Sequence, residues 1–273
     1  MSNLDLSQSK FELHGHVAHF SLNRPEKANA IDGSLWKEIG EFFKWADQQV
    51  DIRAIVLSGE GKNFCAGIDF SLIESLSQKF HSQKEGQKQS ELRSTICELQ
   101  SYFTALENCR KPVIAAISGA CYGAGVDLIT ACDIRLASEE ARFSVKEVDL
   151  AIVADVGTIQ RLPKIIGEGR ARELIFTARE FDAKEASQIG LIQHIYSHES
   201  LVQKAMDLAT LIATKSPMAI RGSKQVLNYS RDHSVAEGLE YVANWNAAML
   251  FSEDFKRAIT AMMSKKLPEF ENS

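Results

Sequence analysis

The sequence predicts an α/β fold, in which a core of strands and helices precedes a helical C-terminal region. Three short apolar runs, at 53–57, 113–117 and 133–137, are typical of buried strands. The first two end at glycine-containing turns, and the second turn leads into a helix expected over 126–131. Repetition of strand, glycine-rich turn and helix favours a layered core with parallel strands. In such cores, functional sites form where strand ends meet helix N-termini.

The N-terminal part of the chain supplies further elements of this core. Residues 11–23 alternate in polarity and predict two short strands joined by a turn that contains Gly15. A helix is expected next, because Asp32 or Ser34 can cap it and apolar residues follow at helical spacing. Residues 77–108 are charged and glutamine-rich at first and then predict a second helix.

Strand patterns end near residue 200. Three later segments, 201–214, 217–229 and 235–263, carry apolar faces at helical spacing. Such faces are typical of packing surfaces, so this block is expected to dock on the core or on a neighbouring subunit. No linker or repeat separates it from the core. The change of pattern predicts a core over 1–198 and a C-terminal helical region over 199–273.

Composition excludes several classes of protein. The chain has 273 residues, 45% of them hydrophobic, and a formal net charge of −5. Without a dense basic tract, a nucleic-acid partner is not expected, and no apolar run is long enough to span a bilayer. Residues 1–15 do not resemble a signal or transit peptide, and 271–273 are not a peroxisomal address. Five unpaired cysteines suggest reduced thiols, so a cytoplasmic protein is expected.

Two glycine-bearing turns are candidates for a binding site. They cover 64–69 and 118–127, and each follows a predicted buried strand. Small residues let a backbone approach a ligand, and a helix start offers free N–H groups. Two such turns facing each other could hold one developing oxyanion. The simpler alternative is that the glycines only make tight turns, and the pattern alone favours it.

Three carboxylates are candidates for acid–base chemistry, although each has a structural explanation. Asp127 can complement a helix dipole, Glu147 can pair with Lys146 at the surface, and Asp155 can cap the helix that follows it. Asp155 is the most unusual, because it interrupts an apolar run and a buried carboxylate is costly unless it is paired or protonated. The seven histidines form no metal-ligand pair, so no metal site is predicted.

Four segments, 22–31, 64–69, 111–133 and 157–162, are together similar to the crotonase, or enoyl-CoA hydratase/isomerase, superfamily. The resemblance runs over nearly the whole chain. It implies a crotonase-like spiral of ββα units, with C-terminal helices that assemble a homotrimer or a dimer of trimers. It also implies an acyl-CoA substrate and no separate cofactor, since coenzyme A is part of that substrate.

The resemblance further implies which residues hold the substrate. Two backbone N–H groups hold the thioester oxygen in this family, and the matching positions are Ile68 and Ala124. Many members have glycine where this chain has Ala124. The expected walls of the coenzyme A pocket are contributed by Lys27, Ala28, Ala66, Gly67, Asp69 and Phe70.

Within the superfamily, 125–135 and 145–158 resemble the Δ3,5-Δ2,4-dienoyl-CoA isomerases. Hydratases of the family have glutamates at the positions of Asp127 and Glu147 and usually a small residue at that of Asp155. The resemblance implies that Glu147 removes a C2 proton and that Asp155 protonates C6. Asp127 is expected to polarise or hold its neighbours.

Three alternatives remain open at this point. The chain could be an enoyl-CoA hydratase, or a Δ3-Δ2 isomerase that uses one carboxylate. It could also be a non-catalytic or RNA-binding member, although the acidic net charge and the three carboxylates argue against this. Because eukaryotic members often end in a peroxisomal signal and this chain does not, a bacterial cytoplasm is the expected location.

Overall fold

The computed structural model describes residues 4–81 and 84–271. Residues 82–83, which the helix predicted over 77–108 includes, lie outside the described part, as do the chain ends at 1–3 and 272–273. In chain order, the strands are β1 (Ser9–His14), β2 (Val17–Leu22), β3 (Ala54–Gly59), β4 (Val113–Ile117), β5 (Ala120–Tyr122), β6 (Ile134–Ser138), β7 (Arg142–Ser144), β8 (Phe181–Asp182) and β9 (His194–Tyr196).

The helices are interspersed with these strands as far as β9, and only helices follow it. In chain order, they are α1 (Gly33–Gln48), α2 (Phe70–Phe80), α3 (Glu85–Asn108), α4 (Ala124–Thr130), α5 (Thr158–Ile166), α6 (Glu168–Thr177), α7 (Ala183–Gln188), α8 (His198–Ala213), α9 (Pro217–Arg231), α10 (Val235–Met249) and α11 (Glu253–Met263). Single 3-10 turns lie at Pro25–Lys27 and Glu147–Leu150. In the described part of the chain, no helix is long and apolar enough to cross a bilayer.

The strands form two sheets that explain the spiral. The larger sheet has the order β1-β2-β3-β4-β6-β9, and only the β1–β2 pair is antiparallel. The smaller sheet has the order β5-β7-β8. A repeating unit therefore contributes one strand to the larger sheet, one strand to the smaller sheet and then a helix, as β4, β5 and α4 do. The chain then returns to the larger sheet. The predicted α/β spiral of ββα units is confirmed.

The large sheet is covered on both faces. Alternate residues such as Phe20, Leu57 and Ile117 face α1 and α3, whereas Val56 and Ile114 face α8. Because α8 supplies the second core, the first helix of the predicted C-terminal region packs directly on the sheet. The division at residue 198 stays a prediction.

The sequence located the larger strands and several helices, but it did not predict β7, β8, α6 or α7. Two further differences are informative. The helix α2 was not predicted, although Asp69 caps it by accepting a hydrogen bond from the Ser71 amide at 3.0 Å. The single helix expected over 235–263 is divided into α10 and α11. The second of these begins at a new cap, where the Ser252 hydroxyl accepts a hydrogen bond from the Phe255 amide.

Candidate active site

The two glycine-bearing turns lie against each other. Cys65 forms an isolated parallel bridge with Cys121 of β5, with hydrogen bonds from the Cys65 amide to the Ala120 carbonyl and from the Tyr122 amide to the Cys65 carbonyl. A Cβ added to Gly67 would lie 3.3 Å from the Tyr122 carbonyl oxygen. Close packing and positive φ values at Gly67 (106°) and Gly123 (48°) therefore make both glycines necessary here.

The amides of Ile68 and Ala124 are available to a ligand. The residues on either side of Ile68 form backbone hydrogen bonds with Ile31. Because backbone groups of successive residues in an extended chain point in opposite directions, the Ile68 amide points away from Ile31. Ala124 is the first residue of α4, where helix geometry leaves the N–H without an intrahelical partner. No backbone hydrogen bond of the described residues uses either amide, and both residues border the same cavity.

That cavity has a volume of about 770 Å³, within the usual range for small-molecule sites. One end is polar and is bordered by the candidate carboxylates and by the two glycine-bearing turns that carry Ile68 and Ala124, named the oxyanion turns after their expected role. The other end is apolar and is formed mainly by α2 and α3 through Leu72, Ile73, Leu76, Phe80, Leu92, Ile96 and Leu99. The sequence analysis did not identify this apolar end, because its residues lie on two separate helices.

Asp127 is the most deeply buried of the three carboxylates, at 1% exposure. Its Oδ1 accepts a hydrogen bond of 2.7 Å from the Thr158 amide at the start of α5, and its Oδ2 is buried without a partner. Burial, reinforced by the negative charge of Glu147, raises the pKa of Asp127 to about 7. The residue lies in the first turn of α4, as its structural explanation proposed, and it also faces the cavity.

Glu147 lies in the 3-10 turn after β7, beside the N-cap of α4. Its Oε1 would be 3.3 Å from a Cβ added to Gly123, and its Oε2 is buried without a partner. Burial and the charge of Asp155 raise the pKa of Glu147. The expected pairing with Lys146 is absent, since the Lys146 ammonium contacts Asp149 at 3.4 Å instead. Glu147 is therefore held as an unpaired carboxyl beside the oxyanion turns.

Asp155 also borders the cavity, but it is exposed. Partial burial of its carboxyl raises the pKa of Asp155. It does not cap α5, because Gly157 occupies the N-cap position of that helix. The structure thus brings Asp127, Glu147 and Asp155 to one end of one cavity and removes the simplest structural explanation for Asp155.

The predicted coenzyme A residues divide into two groups. Ala66, Gly67 and Phe70 border the cavity, and Phe70 is 67% exposed at its mouth. Lys27 and Ala28 do not border it, but the Ala28 carbonyl accepts a hydrogen bond of 3.0 Å from the Ala66 amide. This bond places the segment that contains Lys27 beside the mouth of the cavity.

Asp69 is engaged within the protein. Its carboxylate pairs with Arg24 at 2.9 Å and caps α2. Hydrogen bonds from Ser71, followed by the pairing with Arg24, lower the pKa of Asp69 to about 2. These contacts give Asp69 a structural role at the turn, and its contact with coenzyme A stays a prediction.

Sequence reasoning missed two groups that position the carboxylates. The Thr158 amide bonds Asp127, and the Gln100 side chain of α3 donates a hydrogen bond of 2.6 Å to the Asp155 carbonyl. Both contacts join residues far apart in the chain. The sequence predicted a helix after Asp155, and the first amides of a helix have no intrahelical partner. It did not indicate which acceptor such an amide would bind.

Comparisons with known proteins agree with this geometry. The family model for enoyl-CoA hydratase/isomerase matches residues 12–273. The chain is 48% identical over 256 residues to the peroxisomal Δ3,5-Δ2,4-dienoyl-CoA isomerase of Arabidopsis thaliana, which covers 93% of this chain and 92% of that protein. It is 46% identical over 253 residues to the mitochondrial Δ3,5-Δ2,4-dienoyl-CoA isomerase of Homo sapiens, covering 92% and 77%.

Solved structures share the same fold. An enoyl-CoA hydratase from Bacillus anthracis superposes with a TM-score of 0.89 at 30% identity, covering 98% of this chain and 100% of that chain. A putative enoyl-CoA hydratase from Streptomyces coelicolor A3(2) superposes with a TM-score of 0.90 at 27% identity, covering 100% and 97%.

The expected location needs correction. A bacterial cytoplasmic protein was predicted from the ends of the chain, but the relatives at 46–48% identity are named as peroxisomal in Arabidopsis thaliana and mitochondrial in Homo sapiens. The prediction relied on the ends of the chain and on its five cysteines. Neither feature indicates the compartments in which these relatives are named, so the predicted location is wrong. The matched family model, the relatives and the shared fold lead to one conclusion: this chain belongs to the enoyl-CoA hydratase/isomerase family.

Proposed function

We propose that this chain is a Δ3,5-Δ2,4-dienoyl-CoA isomerase of fatty acid metabolism. The observation that carries the proposal is the position of Asp155, a third carboxyl that borders the same cavity as Asp127 and Glu147. Moving both double bonds of a 3,5-dienoyl-CoA requires proton transfer at C2 and at C6, which are several ångströms apart. Relatives at 40–48% identity over most of the chain carry the same activity in their names.

The reaction begins at C2. Glu147 accepts the C2 proton, and the electrons of the C–H bond form a dienolate that extends from the thioester oxygen to C6. The Ile68 and Ala124 amides donate to that oxygen, where the negative charge develops. Losing one such donor typically lowers the rate about 100- to 1000-fold. Glu147 suits this step because it lies beside the oxyanion turns and has no partner that would neutralise it.

The reaction ends at C6. Asp155 donates its proton to C6, which leaves double bonds at C2 and C4 and restores the thioester carbonyl. This requires Asp155 to start protonated and Glu147 to start ionised. The reaction leaves Glu147 protonated and Asp155 ionised, so Glu147 releases a proton to solvent and Asp155 takes one up before the next turnover. The charge of an ionised Asp155 raises the pKa of Glu147, so a proton on Asp155 favours the ionised base.

Asp127 acts on the charge of the two reacting carboxyls and not on the substrate. Its buried carboxyl lies near enough to Glu147 and Asp155 for their charges to raise its pKa. With the Thr158 amide on Oδ1, the proton of a neutral Asp127 is available on Oδ2, the buried oxygen without a protein partner. A neutral Asp127 would leave the negative charge of the site on Glu147.

The cavity also fits the two ends of the substrate. The apolar end between α2 and α3 suits a fatty acyl chain. The turn from Ala66 to Phe70 also borders the cavity and is the proposed contact for coenzyme A. The proposed reaction needs no metal or further cofactor.

We infer that the protein assembles as a homotrimer or a dimer of trimers. Support comes from apolar side chains of the last three helices and the loops between them that are exposed in the single chain. They include Leu227, Leu239, Phe251, Met262 and Met263, each 62–80% exposed. Large apolar side chains left exposed on neighbouring segments of the chain favour a subunit contact, because monomeric proteins rarely expose large apolar patches.

The deciding experiment compares two substrates of the purified protein. A 3,5-dienoyl-CoA is expected to be converted to the 2,4-dienoyl product, measured by the absorbance of the conjugated system. Crotonyl-CoA is offered in parallel as a hydratase substrate. Rapid hydration of crotonyl-CoA together with an unchanged 3,5-dienoyl-CoA would assign the chain to the hydratases instead.

A further inference from the structure

The segment that carries Asp155 is attached to α3 by side chains that do not line the substrate cavity. Asp155 and Val156 border both that cavity and a second, polar cavity of about 370 Å³. In the second cavity, Gln100 Nε2 donates to the Asp155 carbonyl oxygen at 2.6 Å. Arg161 Nη1 donates to the Val156 carbonyl oxygen at 3.2 Å. Two successive peptide carbonyls are thus held by two side chains.

Arg161 is itself fixed by an ion pair. Its Nε and Nη2 both bond Oε2 of Glu107, at 3.0 and 2.8 Å, and the two side chains are only 10% and 13% exposed. Arg231 of α9 also pairs with Glu107. A hydrogen-bonded pair with so little exposure holds its geometry better than a solvated one. Both Glu107 and Gln100 belong to α3, so this helix carries both attachments.

Gly157 shows how closely the segment fits. Its φ is 130°, and a Cβ at this position would lie 1.7 Å from Arg161 Nη1. The next residue, Thr158, donates its amide to Asp127. The same short stretch of backbone therefore positions two of the three carboxylates, one by its carbonyls and one by its amide.

The Asp155 carboxyl needs this support. Among the hydrogen bonds of the described residues, none links the Asp155 carboxylate to another side chain. Its direction towards the cavity consequently depends on the backbone that carries it. A displacement of about 1 Å in a reacting group can lower a rate about 100-fold.

We propose that Gln100 is a positioning residue for Asp155, held in register by the Glu107–Arg161 pair, and that it acts on proton delivery at C6 without acting on proton removal at C2. The inference rests on the proposed isomerase function. Glu147 and the oxyanion amides lie on other elements, and Gln100 bonds the Asp155 carbonyl and not the Thr158 amide that holds Asp127. Loosening the Asp155 carbonyl therefore leaves the C2 step intact.

The test replaces Gln100→Met, which keeps the length and helix preference of the side chain but removes its N–H donor. Gln89→Met, an exposed position on the same helix, is the matched control. Each protein is assayed with a 3,5-dienoyl-CoA in D2O. The isomerisation rate and the deuterium gained at C2 of recovered substrate are both measured.

For Gln100→Met, the kcat of isomerisation is expected to fall about 10- to 100-fold with KM within about two-fold. Deuterium exchange at C2 is expected to continue, so the ratio of exchange to isomerisation rises at least about ten-fold. The control is expected to match the unaltered protein. Because the ratio is a property of the folded molecules, partial unfolding of the variant does not change it.

Three outcomes overturn the proposal. An unchanged isomerisation rate in Gln100→Met shows that the hydrogen bond does not position Asp155. A parallel fall of isomerisation and exchange shows a general structural effect. If the unaltered protein exchanges C2 without any isomerisation, the proposed function fails and the positioning role fails with it.

Discussion

The two ends of the substrate cavity are built in different ways. At the polar end, Asp127 is 1% exposed and bonded to the Thr158 amide, and two glycines bring separate turns into contact. At the apolar end, Leu72, Leu76 and Leu92 are half-buried side chains of two helices, held by packing alone. Proton transfer needs atoms fixed to within a fraction of an ångström, whereas an acyl chain needs only apolar volume. The difference predicts that chemistry and chain selection can be changed separately.

The largest effect is expected at the polar end, from a contrast between two isosteric changes. Glu147→Gln removes the base, so both isomerisation and deuterium exchange at C2 should fall about 100- to 10,000-fold. Asp155→Asn removes only the acid, so isomerisation should fall by a similar factor while exchange at C2 persists. Isomerisation is measured by the absorbance of the conjugated product, and exchange at C2 is measured by mass spectrometry of recovered substrate. Retention of isomerisation in either variant would remove that residue from the mechanism.

A second prediction concerns the stability of the buried carboxyl. Burial raises the pKa of Asp127 to about 7, whereas an unfolded aspartate has a pKa of about 4. Between these two values, the folded protein holds a proton that the unfolded chain has lost. Stability from this group is complete below about pH 4, declines as the pH rises, and is lost above about pH 7. Asp127→Asn removes this dependence.

The measurement is the free energy of unfolding by denaturant at pH 5 and pH 8. The unaltered protein should lose more stability over this interval than Asp127→Asn, by on the order of 3 kcal/mol. Asp207→Asn, an exposed change on α8, is the control and should keep the original dependence. Identical pH dependence in the unaltered protein and Asp127→Asn would contradict a raised pKa at this position.

The smallest effect is expected at the apolar end. Leu92→Trp fills part of the cavity, so the KM for a long substrate such as 3,5-tetradecadienoyl-CoA should rise about ten-fold. The KM for 3,5-octadienoyl-CoA should stay within about two-fold, because the shorter chain does not need that volume. The neighbouring exposed change Arg93→Trp is the control. Equal effects on both substrates would show that the two ends of the cavity are not independent.

Much of the fold followed from local patterns. The strand expected over 113–117 is β4 itself. Of the two expected caps of α1, Asp32 and Ser34, it is Asp32 that accepts a hydrogen bond from the Leu35 amide, at 2.9 Å. Local spacing could not place the helix boundaries near the cavity. The start of α2 depends on Asp69, whose capping role was hidden by its membership of a glycine-rich turn.

The site was less accessible to sequence reasoning. Pattern alone made Asp155 unusual, and family resemblance was needed to group it with Asp127 and Glu147. The reason is that the contacts which define the site are long-range, such as the hydrogen bond between Asp127 and Thr158 and the bridge between Cys65 and Cys121. No helical or strand periodicity encodes such pairs.

The bridge between Cys65 and Cys121 has one more consequence. The amides of Ile68 and Ala124, the proposed oxyanion donors, lie on successive turns of the spiral, and each is a single donor until those turns pack against each other. A partly wound chain therefore cannot stabilise an enolate, however well its helices have formed. During refolding, catalytic activity should return only when the spiral is complete. The recovery of activity therefore measures the completion of the fold.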